Sequence, residues 1–137
     1  MNLAISLNAP NDQVRRKLMP IARYYPMDRL LAACRYYVDL THRRLSFEYV
    51  LIRGVNDAQS HAMELSRLVK GKLFHVNLIA YNPVASCQLK APSRDRVKAF
   101  AEHLRSAGVT VTVRRSPGRE ISAACGQLAG RGQRDTS

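Results

Sequence analysis

Short apolar runs alternate along this chain with longer stretches whose apolar residues recur every three or four positions. Residues 2–7 form a brief apolar segment that reads as a buried strand, and the turn-rich run Asn8–Asp12 ends it. Asp12 is positioned to cap a short helix over 14–19, which Pro20 terminates because its ring clashes with the preceding turn. From residue 27 the period becomes helical. Met27, Leu30, Leu31, Cys34 and Val38 share one stripe through about Leu40, and Cys34 there reads as a small core residue.

The aromatic and branched run 45–52 predicts a second strand, followed by a Gly-containing loop over 53–57 and a helix over 58–70 that Gly71 stops. Residues 73–80 read as a largely apolar third strand, and 81–92 as a loop with two prolines. Ser93 is placed to cap a helix with Val97, Phe100, Ala101 and Leu104 inward, and Gly108 closes it. Residues 109–113 predict a fourth strand, 120–128 a short further segment, and 129–137 a disordered polar tail. Strands alternating with helices imply a parallel sheet with right-handed crossovers, in an α/β barrel or a doubly wound sheet. The first strand reads as buried on both sides, so it needs a partner at its outer edge. A fragment of a larger unit accounts for that.

Charge adds a partner class. Lys and Arg total 22 against 10 Asp and Glu, a net +12 in 137 residues. That surplus attracts polyanions through counterion release, and nucleic acid suits it better than a membrane surface, since no helix pairs a basic face with a large aromatic one. No signal peptide or long apolar span is evident, so a cytoplasmic protein is expected.

Candidate chemistry gathers where parallel strands end. Ser6, Asn8 and Asn11 follow the first strand, Asn56 and Asp57 the second, Asn82 the third, and Arg114, Arg115 and Arg119 lie near the fourth. Amides and hydroxyls dominate, which suits hydrogen bonding to a polar cofactor such as a nucleoside; each also forms turns readily. There is no Ser/His/Asp elbow, no placed carboxylate pair and no CxxC, HxxxH or HExxH spacing. Glu48 faces either a barrel interior or solvent. Cys125, in SAACGQL, has small neighbours and Gly126 beside it, with arginines upstream that favour a thiolate; it reads either as a nucleophile or as a buried structural thiol.

Taken together, LAISLNAPND, RRKLMPI, FEYVLIRGVND, HVNLIAYNP and REISAACGQL resemble, in order and spacing, the C-terminal part of the RlmN/Cfr family of radical-SAM RNA methyltransferases, from about Asn2 to Leu128. The resemblance implies a partial (βα) barrel that binds S-adenosylmethionine (SAM) and a 4Fe–4S cluster. It implies methylation of an adenine in 23S rRNA, at C2 in one branch, which also modifies tRNA, and at C8 in the other. By the same resemblance Ser6, Leu7, Asn8 and Asn82 contact SAM. Cys125 takes a methyl from one SAM, a radical generated from a second SAM activates it, and a second cysteine releases the RNA adduct. The CxxxCxxC cluster motif and that second cysteine are absent from this sequence, as Cys34 and Cys87 fall in neither place. The chain alone is therefore expected to be inactive, its missing partner being the N-terminal part of the same enzyme. The alternative is a cluster-free, basic RNA-binding module.

Overall fold

The computed structural model describes residues 3–18, 26–70, 73–83 and 89–115. Four strands, β1 (Leu3–Ser6), β2 (Leu45–Leu51), β3 (Phe74–Ala80) and β4 (Thr110–Arg115), form one all-parallel sheet in the order β1-β2-β3-β4. Four helices intervene: α1 (Asp12–Leu18), α2 (Met27–Thr41), α3 (Gln59–Leu68) and α4 (Arg94–Ser106). Each crossover steps to the adjacent strand in the same direction. A doubly wound sheet reverses its order at a switch point and so covers both faces with helices. Here α2, α3 and α4 send apolar side chains into one shared core, so the sheet is the wall of a barrel and not a doubly wound layer.

That core follows from alternation along the strands. Leu45, Phe47, Tyr49 and Leu51 of β2 point to the helices with Phe74, Val76 and Leu78 of β3 and Val111 of β4. Against them pack Met27, Leu31 and Cys34 of α2, Ala62 and Leu65 of α3, and Phe100, Ala101 and Leu104 of α4. A second, smaller cluster closes the carboxyl end of the opposite face, where Leu18 and Val14 of α1 meet Val50, Ile52, Ile79 and Tyr81.

Among the described residues the helix signals hold with one exchange of roles, and Pro20 lies outside them. Ser93 Oγ accepts the Arg96 amide hydrogen at 3.1 Å, and Gly108 turns the chain at φ +88°. The cap of α1 is Asn11, not Asp12: Asn11 Oδ1 accepts from the Val14 amide at 2.9 Å, while Asp12 Oδ1 accepts from the Met27 amide at 2.9 Å and ties α1 to the start of α2. Helix α2 stops at His42, which takes the left-handed conformation at φ 56°. Gly71 and residues 120–137 lie outside the described residues. No helix among the described residues is long and apolar enough to cross a membrane.

Candidate functional site

The face turned away from α2, α3 and α4 is polar. Parallel register sets Ser6 opposite Glu48, Glu48 opposite Asn77, and Asn77 opposite Thr112, so one row of hydrogen-bonding side chains crosses all four strands. Glu48 is thus on the barrel-interior side, partly exposed, and not in the helix-covered core. One step toward the amino ends, Ser46 Oγ lies 3.3 Å from His75 Nδ1 and Thr112 Oγ1 lies 3.1 Å from His75 Nε2. Thr112 Oγ1 also donates to Asn77 Oδ1 at 3.1 Å. The imidazole therefore bridges β2 and β4 across β3. Partial burial, aided by the Arg44 charge, lowers the pKa of His75 and favours its neutral form.

At the carboxyl edge the chain after β1 is held by two amides. Asn8 adopts φ 59°, and its Oδ1 accepts from the Val50 amide at 2.9 Å, taking the place of a further strand residue beside β2. Asn56 is fully buried, and its Nδ2 donates to the Asn8 carbonyl at 2.9 Å and to the Val50 carbonyl at 2.7 Å. Its Oδ1 accepts from the Ile52 amide at 2.8 Å, and its own carbonyl accepts from the Tyr49 hydroxyl at 2.7 Å. Burial, reinforced by Asp57 and Glu64, pushes the Tyr49 phenol well above its ordinary value, so it remains a donor. Asp57 Oδ1 accepts from the Gly54 amide at 3.0 Å, and Asn11 Nδ2 reaches both Glu64 carboxylate oxygens at 3.2 and 3.3 Å.

Several residues picked from strand ends thus brace the protein itself: Asn11, Asn56 and Asp57 shape the edge on which Ser6 and Asn8 sit. Leu7 is in the core at 0% exposure and its amide donates to the Glu48 carbonyl at 2.9 Å, so the SAM contact expected of it has no open surface in this structure. Ser6 and Asn82 are exposed, at the ends of β1 and β3 on the same edge. Cys125, Cys87 and Arg119 lie outside the described residues. Ser46, His75, Asn77 and Thr112 were not legible as site residues. Their signal is the alternation in FHVNLIA, where His75 and Asn77 occupy every second position of an otherwise apolar strand.

Among the described residues no group of three or more His, Cys, Asp or Glu could hold a metal ion. Cys34 is buried, and burial pushes its thiol up against the smaller opposing effect of Arg35. It is the core residue its helical stripe implied.

Comparison with known proteins now bears on this geometry. The chain is 53% identical over 128 residues to a probable dual-specificity RNA methyltransferase RlmN of Nostoc punctiforme, covering 93% of this chain and 35% of that protein. The corresponding Symbiobacterium thermophilum protein is 53% identical over 135 residues, covering 98% and 36%. A crystal structure of a radical SAM methyltransferase from Sphaerobacter thermophilus superposes with TM-score 0.83 at 53% identity, over 93% of this chain and 37% of that one. Over nearly its whole length the chain matches part of RlmN RNA methyltransferases and of a radical SAM methyltransferase. It spans little more than a third of the length of the relatives it matches. A domain of pyruvate-formate lyase-activating enzyme from Bacteroides vulgatus shares the fold alone, with TM-score 0.66 at 19% identity over 82% of this chain and 66% of that one. No family model matches the chain.

Proposed function

We propose that this chain is the C-terminal part of the catalytic barrel of an RNA adenine methyltransferase, and that it contributes the SAM-facing wall and the methyl-carrying thiol. The observation that carries the reading is that Ser6 and Asn8, at and after the end of β1, and Asn82, after β3, all lie toward the carboxyl side of one parallel sheet beside a polar barrel wall. A nucleoside sulfonium fits such a surface, because its hydroxyls and amine need several uncharged partners and its cation tolerates a lone carboxylate nearby. Bound there, SAM supplies an electrophilic methyl group. Ser6, Asn8 and Asn82 hold and orient it. Cys125, as thiolate, attacks the methyl carbon; a new carbon–sulfur bond forms at Cys125, the sulfonium bond breaks, and S-adenosylhomocysteine leaves with the electron pair. The methyl held on Cys125 is the carbon that the whole enzyme would place on C2 of an adenine in 23S rRNA or tRNA, and the activation which that placement needs would come from the part of the enzyme outside this chain.

The described residues do not fit an iron–sulfur cluster, and the sequence has no CxxxCxxC. We therefore assign the 4Fe–4S cluster to the rest of the enzyme and route no step through it. On this reading the isolated chain does not complete methylation, and the whole enzyme works on RNA in the cytoplasm. In the full-length enzyme isolated from cells, peptide mass spectrometry should find an added methyl on Cys125, and Cys125→Ala should abolish RNA methylation. An unmodified Cys125 in an active enzyme would end the proposal. Asn82→Ala should weaken SAM binding about tenfold, the scale of one lost hydrogen bond in a polar site.

A further inference from the structure

A cleft of about 550 Å³ opens beside β4, between that strand and α4, with Asn82 in its lining at the carboxyl edge. Pro92, Val97, Ala101 and Val113 give it apolar walls, and the cations Arg94, Lys98, Arg105 and Arg114 line it as well. No carboxylate lines the cleft among the described residues. Two elements supply this charge. Arg94, Lys98 and Arg105 come from α4, whereas Arg114 comes from β4. Arg105 donates to the Val111 carbonyl at 3.2 Å, which holds its guanidinium against the strand. Tyr81 also lines the cleft, and its hydroxyl is buried with no hydrogen-bond partner among the described residues.

We propose that this cleft is a docking site for single-stranded RNA: backbone phosphates lie on Arg94 and Lys98 while one nucleotide rests against the apolar walls. The inference deepens the reading of the chain as part of an RNA methyltransferase and rests on it. Charge complementarity selects the occupant. A polyanion gains from the exposed charges of Arg94 and Lys98, beside which no described carboxylate lines the cleft. The chain's own residues 116–137 carry three arginines against two acids and gain nothing from such a lining. Asn82 belongs at once to this cleft and to the SAM edge, so RNA held here passes beside the methyl donor.

The test is fluorescence anisotropy of the 137-residue chain with a labelled single-stranded 12-mer RNA, without SAM, across a salt series. Arg94 and Lys98 are exposed, so Arg94→Glu/Lys98→Glu leaves packing intact, which circular dichroism checks. At low salt the double variant should bind at least about tenfold more weakly and with a shallower salt dependence. The matched reversal Arg29→Glu/Arg43→Glu, on and after α2 away from the cleft, should cost less than about threefold by the same counterion argument. Equal losses in the two variants overturn the proposal, since net charge alone then explains binding. Unchanged affinity in the cleft variant also overturns it, as does tighter RNA binding after removal of residues 116–137, which would make that segment the occupant. Because the assay needs neither SAM nor Cys125, its failure is separable from a missing methyl on Cys125.

Discussion

The two faces of the sheet are built from the same strands, yet they obey different rules. On the helix-covered face each strand gives every second residue to one continuous apolar core, and Phe47, Tyr49, Val76 and Leu78 are 0% exposed. On the barrel-interior face the alternate positions hold Ser6, Ser46, Glu48, His75, Asn77 and Thr112, bonded to one another or open to solvent. Apolar burial stabilises the fold on one side. On the other side the protein keeps polar groups at positions where branched apolar residues would serve strand propensity better. That sacrifice of local preference is expected where a surface is kept for a ligand.

The contrast can be broken by substitution. Leu78→Ala, in the core, should lower unfolding free energy in urea by about 3–4 kcal/mol, from lost transfer energy and a residual cavity. Asn77→Ala is its neighbour on the same strand but the opposite face, and should cost under about 1 kcal/mol. Equal costs would mean that the polar face is as much core as the other. Next, Asn56→Ala should cost about 2–3 kcal/mol, since it leaves the Asn8 and Val50 carbonyls and the Ile52 amide without partners. It should also loosen the Asn8 turn, so in the full-length enzyme SAM affinity should fall with it.

The smallest effect concerns pH. The folded state lowers the pKa of His75 below its ordinary 6.5, so the folded protein binds fewer protons there than the unfolded chain does. That contribution is fully present above the ordinary value and is lost as pH falls through the lower folded one. His75→Gln should flatten the stability profile below about pH 6.5 without steepening it elsewhere. An unaltered profile would mean that the imidazole bridge contributes nothing.

Element order, strand and helix types and the Ser93 cap were legible because each depends on spacing within a short stretch. The parallel arrangement followed from alternation of strand and helix. The cap of α1 was misassigned for a local reason: Asn11 and Asp12 are both good caps, and only the seating of Met27 against Asp12 decides between them. Asn56 was legible as a polar residue after a strand, but its three side-chain bonds to backbone, one of them to Asn8 48 residues earlier, were not.

What the sequence determined by itself is therefore the set of local periods, the excess of positive charge and the ordered segments that mark the family. The tertiary structure alone decided which face of each strand stays open, that one polar row crosses four strands, and that cations from α4 and β4 line one cleft. The reason is physical. A period of two or 3.6 is imposed by backbone geometry within an element, whereas the neighbour across a strand is set by crossovers of about twenty to forty residues, whose direction and register appear only once the sheet has formed.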